Sequence, residues 1–184
     1  MDTILIPPSV FDSESESFFP DPKDYTYWEA RESRIFYIDW ELDEIYNAVE
    51  LSKIIIQMNV KEKNIPDKNL KPIYLFIHSY GGDLDQCHTL IDIICSSRIP
   101  IVTVAMGVAM SAGFMIFLAG HKRYAFKHSN LMVHKGQASI SGTPDQIEQA
   151  QKNYKRQLND MKEFILARTE IQEKVFNRNA NKDW

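Results

Sequence analysis

Apolar and polar residues alternate along this chain with two periods, one typical of strands and one typical of helices. Blocks rich in β-branched and aromatic residues predict core strands at Arg34–Ile38, Ile73–Ile77 and Ile101–Val104, and two short strands are predicted near Arg123–Phe126 and Leu131–Val133. Between the first three blocks, apolar residues recur every three or four positions over Leu42–Met58 and Asp85–Ser97, which predicts amphipathic helices. The repeated alternation predicts an α/β fold with a largely parallel sheet.

A longer helix is predicted after these elements. Thr143 fits its N-cap, Pro144 its first position and Gln146 the partner that closes a capping box. The helix is expected to run to about Arg168, which makes it about 39 Å long. Its apolar stripe consists of Ile147, Ala150, Tyr154, Leu158, Met161 and Ile165. A stripe of this length exceeds what a small domain needs, so we expect it to pack against other subunits.

The N-terminal residues, 1 to about 30, have the composition of an arm. Two proline-containing segments and the acidic run at 12–17 disfavour regular structure. The aromatic residues of this segment are nevertheless too many for a solvated tail: Phe18, Phe19, Tyr25, Tyr27 and Trp28. We expect them to dock on this subunit or on a neighbouring one.

One uncharged run, Ile101–Gly120, stands out from the rest of the chain. Its length would suffice for a transmembrane helix. Its three glycines and its β-branched start instead favour a strand that turns into a buried helix. At that turn the only side chain with nucleophile chemistry is Ser111, and a helix that starts there supplies free backbone N–H groups. The alternative is that Ser111 only lets two backbones approach closely, because Ala109 breaks the nucleophile-elbow signature.

Composition places the chain among single-domain globular proteins. Charged residues make up 25% of the 184 residues, hydrophobic residues 44%, and the net charge of −4 does not indicate a nucleic-acid surface. The two cysteines, Cys87 and Cys95, have the spacing of neither a disulfide framework nor a zinc site, which fits a reducing compartment. No basic region precedes the first apolar residues, so no secretory signal is predicted and the cytoplasm is the expected location.

Candidate chemistry follows the carboxyl ends of three predicted strands, where functional groups of parallel sheets gather. Gly81-Gly82 follows one strand, Ser111 another and His134 a third. A serine, an imidazole and paired backbone N–H groups are the parts that acyl transfer requires. His78 also ends a strand, and the residues alone leave the choice of histidine open. They also leave the orienting acid open, among 25 carboxylates.

Four segments together resemble one known family over about residues 31–184. They read HSYGG, GVAMSAGFMIFLAG, NLMVHKG and NRNANKDW. Each is similar to a motif of ClpP, the proteolytic subunit of the Clp protease, with Ser111 in register with that family's serine. The resemblance implies a crotonase-like α/β fold with a head, residues 31–135 and 169–184. It also implies a protruding handle, residues 136–168.

The resemblance also implies a mechanism and an assembly. Ser111 becomes the nucleophile, His134 the general base and Asp183 the orienting acid, with Gly82 and Ala112 as oxyanion donors. The implied activity is that of a self-compartmentalised serine endopeptidase that degrades unfolded polypeptides inside two stacked heptameric rings. An AAA+ unfoldase is the implied partner, and it is the partner that uses ATP, so no cofactor or metal is expected in this chain.

Several positions depart from the family pattern. Tyr80 replaces a proline and His78 an asparagine beside the glycines, while Lys135 and Gly136 stand where Gln-Pro usually follows the histidine. The arm does not resemble the usual axial loop. Two alternatives therefore remain: a non-catalytic subunit of a mixed ring, and a crotonase-type enzyme of acyl-CoA chemistry.

Asp183 is the position for which the sequence predicts a defect. It lies one residue from the end of the given sequence, where chains fray unless something holds them. We therefore expect its carboxylate to lie outside hydrogen-bond reach of His134, which would leave the site misaligned.

Overall fold

The computed structural model describes residues 29, 32–42, 45–136 and 138–184. The chain divides into two compact units, Met1–Ser33 and Arg34–Trp184. Apart from Glu29, the predicted arm lies outside the described residues, so its docking stays a prediction.

Five parallel strands form the sheet of the second unit. In chain order they are β1 (Ile35–Ile38), β2 (Ile73–Ser79), β3 (Ile101–Met110), β4 (Lys122–Ala125) and β5 (Asn130–Met132). Their order across the sheet is β1-β2-β3-β4, and β5 pairs with β3 as well. The predicted α/β fold with a largely parallel sheet is confirmed.

Helices connect the strands and flank the sheet. They are α1 (Ile45–Lys61), α2 (Leu84–Ser96), α3 (Ala112–Ala119), α4 (Pro144–Arg168) and α5 (Glu173–Asn179). The capping box at Thr143 and Gln146 is present, as the sequence predicted. Asp83 caps α2 by accepting hydrogen bonds from the amides of the next turn. The sequence did not predict α5.

The third strand is longer than predicted and changes its partner halfway. Residues 102–105 of β3 pair with β4, and residues 108–110 pair with β5. On its other edge β3 pairs with β2, where Ile77 lies opposite Ala105 and Ser79 opposite Ala109. Between these two pairs β3 has three residues and β2 has one. The extra residues form a bulge, Met106–Val108, and the positive φ of Gly107 (86°) allows it. The predicted strand, Ile101–Val104, was too short, because the glycine bends the strand without ending it.

The uncharged run supplies β3 and a helix that is buried on every side. All eight residues of α3 are buried, so the helix needs no polar face. Thr103 of β3 donates a 2.7 Å hydrogen bond to the Phe117 carbonyl, and Gly120 lies so close that a Cβ there would be 2.3 Å from Thr103 Oγ1. None of the described helices is long and apolar enough to cross a membrane.

The apolar stripe of α4 divides into two parts. Met161 and Ile165 are buried within this subunit, whereas Ile147 and Leu158 remain partly exposed. Near the middle of the helix, Gln157 donates a 2.6 Å hydrogen bond to Asp85 at the start of α2. The prediction that the whole stripe packs against other subunits was wrong for its C-terminal part, because α4 also completes the subunit's own core.

We expect the substitution Met161→Ala to lower the free energy of unfolding by about 2–5 kcal/mol, because it leaves a cavity in this core. Asp160→Ala, at the exposed neighbouring position, is the control and should change the value by less than about 0.5 kcal/mol. Chemical denaturation at a fixed protein concentration measures both. Equal stabilities of the two variants would contradict the assignment of Met161 to the subunit core.

Candidate active site

Ser111 lies at the junction of β3 and α3 in a backbone conformation that residues other than glycine rarely adopt. Its φ is 52° and its ψ is −121°. The sheet holds it on one side, since its amide donates to the Met132 carbonyl at 2.9 Å. The helix holds it on the other, since its carbonyl accepts from Met115 N at 3.2 Å. These bonds compensate for a strained conformation of the kind that occurs at functional sites.

Gly81 packs directly against the serine. A Cβ at this position would lie 2.8 Å from Ser111 Cβ, 2.9 Å from the Met110 carbonyl oxygen and 3.0 Å from Ala112 N. The φ of Gly81, 115°, also requires glycine. The Gly81-Gly82 pair indicated close backbone approach from the sequence, but the oxyanion role was assigned to Gly82 alone and the packing of Gly81 against the serine was not predicted.

Ser79 fixes the glycine loop, Ser79–Gly82, to the segment after β1. Its buried hydroxyl donates to the Trp40 carbonyl at 2.9 Å and accepts from Gly81 N at 3.2 Å. The Gly81 carbonyl accepts a 2.7 Å bond from Leu42 N. Hydrogen bonds to Trp40 and Leu42 therefore fix the loop that packs against Ser111.

A chain of two hydrogen bonds connects Ser111, His134 and Asp183. His134 Nε2 lies 2.9 Å from Ser111 Oγ, and His134 Nδ1 lies 2.9 Å from Asp183 Oδ1. Because an ionised carboxylate only accepts, Nδ1 carries the hydrogen and neutral Nε2 accepts from the serine hydroxyl. The imidazole is partly buried, with 29% of its side chain exposed, whereas 74% of the Asp183 side chain is exposed.

The prediction that Asp183 lies out of reach of His134 was wrong. Trp184 and Val133 exchange two backbone hydrogen bonds of 2.8 and 3.2 Å, and Lys135 N donates to the Ala180 carbonyl at 2.8 Å. The Trp184 ring also packs edge-on against Phe176 of α5, with ring centroids 6.2 Å apart. These contacts hold the segment that carries Asp183 beside the strand end that bears His134, and they place the carboxylate within reach of the imidazole.

The remaining candidates from the sequence are the second histidine, His78, and the two predicted oxyanion donors, Gly82 and Ala112. The His78 ring does not take the place of His134, since its Nδ1 bonds to the Met106 carbonyl at 2.7 Å. Gly82 is exposed beside Gly81, and Ala112 begins α3, so its amide has no carbonyl partner within the helix. In the described part of the chain, no group of three or more His, Cys, Asp or Glu side chains is placed to hold a metal ion.

A hydrogen-bonded Ser–His–Asp chain on an α/β framework is the arrangement that serine hydrolases use. Residues 28–184 match the family model of the Clp protease, and the chain therefore belongs to the Clp protease family. This membership confirms the family that the sequence motifs indicated, and with it the function of a proteolytic subunit.

Relatives in three bacteria bear names of the same kind. The chain is 26% identical over 160 residues to the ATP-dependent Clp protease proteolytic subunit 2 of Treponema pallidum, covering 85% of this chain and 80% of the relative. It is 29% identical over 144 residues to the subunit of that name from Treponema denticola, covering 76% and 72%. Over a shorter stretch of 71 residues it is 39% identical to that of Prochlorococcus marinus, covering 38% and 35%.

We expect Gly81→Ala to slow the reaction of Ser111 with a fluorophosphonate by at least about tenfold, because the added methyl group collides with Ser111 Cβ and an error of about 1 Å at a reacting group is costly. Gly142→Ala, which also alters a glycine of positive φ but lies near the start of α4, is the control. Gel fluorescence of the labelled protein measures the rate. Equal rates for the two variants would show that Gly81 does not set the position of the serine.

Proposed function

We propose that this chain is a serine-type endopeptidase in which Ser111, His134 and Asp183 act as nucleophile, general base and orienting acid. The observation that carries the proposal is the chain of two 2.9 Å hydrogen bonds from Ser111 Oγ through the imidazole to Asp183. This geometry supports proton transfer without rearrangement of the resting site.

In the proposed first stage, Ser111 Oγ attacks the scissile carbonyl carbon while His134 Nε2 takes the hydroxyl proton. Asp183 stabilises the imidazolium and keeps its orientation. The amides of Gly82 and Ala112 would donate to the oxyanion, and the close packing of Gly81 against Ala112 N supports their placement at one site. The C–N bond then breaks, and His134 returns the proton to the leaving amine.

In the second stage, water replaces the amine product. His134 takes a proton from this water, whose oxygen attacks the ester carbon, and the proton then passes to Ser111 Oγ as the ester bond breaks. The products are a carboxylic acid and an amine, and the triad returns to its resting protonation state. No step requires a cofactor in this chain.

Membership of the Clp protease family supports a larger assembly with a Clp ATPase partner. We propose stacked heptameric rings that enclose the active sites and receive unfolded polypeptide from an AAA+ unfoldase, which hydrolyses the ATP. The partly exposed N-terminal part of the α4 stripe is available for contacts between subunits. The two free cysteines support a reducing location, and we propose the cytoplasm.

The first test is Ser111→Ala, assayed with short fluorogenic peptides. We expect a loss of kcat/KM of at least about 10³-fold. His134→Ala should cost about as much, and the double variant should lose no more than either single one, because the two residues act as a unit. Activity close to wild type in Ser111→Ala would refute the proposal. A non-catalytic subunit or a thioester enzyme would show no Ser111-dependent peptide hydrolysis in the wild type.

Asp183→Asn tests the orienting acid. An amide has the shape of the carboxylate but favours the wrong imidazole tautomer, so we expect kcat to fall by about 10³- to 10⁴-fold. Asp92→Asn, at an exposed position of α2, is the charge-matched control and should leave kcat unchanged. If kcat is the same in both variants, the 2.9 Å contact between Asp183 and His134 has no part in catalysis.

A further inference from the structure

The His78 side chain, at the end of β2, binds the backbone of the neighbouring strand. Its Nδ1 lies 2.7 Å from the carbonyl oxygen of Met106, and Met106 is the first residue of the β3 bulge. Because a carbonyl oxygen only accepts, Nδ1 carries the hydrogen of this bond. His78 therefore ties β2 to the place where β3 leaves regular pairing.

The bulge is shaped to admit this ring. A Cβ at Gly107 would lie 2.7 Å from His78 Nδ1 and 2.9 Å from Cε1, so the ring occupies the space that a side chain would fill. Gly107 has a φ of 86°, which permits the bulge itself. The same glycine thus provides both the bend and the room for the ring.

A second residue holds the bulge from the opposite side. Ser129, in the turn before β5, donates to the Ala105 carbonyl at 2.8 Å and accepts from Gly107 N at 3.2 Å. His78 and Ser129 therefore bind the bulge from β2 and from the β4–β5 turn. Their three bonds engage backbone groups of Ala105, Met106 and Gly107.

The position of this bulge matters because β3 changes partner across it. Before the bulge β3 pairs with β4, and after it β3 pairs with β5. The strand then leads to Ser111, while β5 leads to His134. One backbone irregularity therefore sets the relative placement of the serine and the imidazole.

We propose that His78 is a positioning residue of the active site, which acts through the bulge to keep Ser111 and His134 in register. The inference rests on the proposed function. It assigns a role to His78, which stands in the segment HSYGG at the position where the family pattern usually has asparagine. Asparagine Nδ2 stands the same number of bonds from Cα as histidine Nδ1, so both residues can place a donor at the Met106 carbonyl.

The test compares His78→Asn with His78→Leu. Asparagine and leucine have nearly the same shape and are both uncharged, but only asparagine keeps the donor. We expect His78→Leu to lower kcat for a fluorogenic peptide by about 10- to 100-fold, the cost of misplaced reacting groups, with KM changed less than about twofold. We expect the kcat of His78→Asn to stay within about threefold of the wild-type value. Sedimentation verifies that all variants assemble alike.

Hydrogen–deuterium exchange gives a readout that does not depend on activity. Peptides that cover 105–111 should exchange faster in His78→Leu than in wild type or His78→Asn, because the bulge loses the bond that holds it from the side of β2. Ser129→Ala should give the same local increase. If peptides covering 105–111 exchange equally fast in His78→Leu and His78→Asn, and the two variants have equal kcat, the inference is overturned. Faster exchange in His78→Leu with unchanged kcat would also overturn it, because the bulge would then not control the site.

The two proposals fail in different ways. A wild-type protein that neither reacts with a fluorophosphonate nor cleaves peptides would refute the proposed function, while exchange still decides whether His78 holds the bulge. An active wild type with a fully active His78→Leu variant would refute the positioning role alone.

Discussion

The candidate active site depends on one constraint, the strained backbone at Ser111. A φ of 52° turns the chain from β3 into α3 within one residue and leaves the serine side chain at the turn. The conformation survives because the surroundings fix it: Met132 of β5 and Met115 of α3 bind its two backbone groups, and Gly81 leaves room for its Cβ. The buried helix that follows contributes the apolar packing that stabilises this turn.

Three distant segments meet at this turn, each held by a different kind of contact. The glycine loop is held by the buried Ser79 hydroxyl, and the imidazole follows β5 in the sheet. The acid comes from the terminal segment, which pairs with Val133 through the Trp184 backbone. The candidate site is thus assembled by backbone pairing, and the positions of Ser111 and His134 follow from where their strands end.

Elements with a strong local signal could be predicted from the sequence. The capping box at Thr143 and the uncharged run each act through neighbours in the chain, so pattern alone located the long helix and the buried strand and helix. The bulge at Gly107 and the pairing of Trp184 with Val133 depend on contacts between distant segments. No local pattern encodes such contacts. The prediction that Asp183 lies out of reach of His134 was therefore wrong, and the packing of Gly81 against Ser111 was not predicted.

If Ser111 is an activated nucleophile, a reagent for such serines should form its covalent adduct there. Wild-type protein is treated with a fluorophosphonate, digested and mapped by mass spectrometry while peptide hydrolysis is followed in parallel. We expect one adduct per subunit, on Ser111, formed in step with the loss of hydrolysis. An adduct on another residue, or full loss of hydrolysis with Ser111 unmodified, would contradict it.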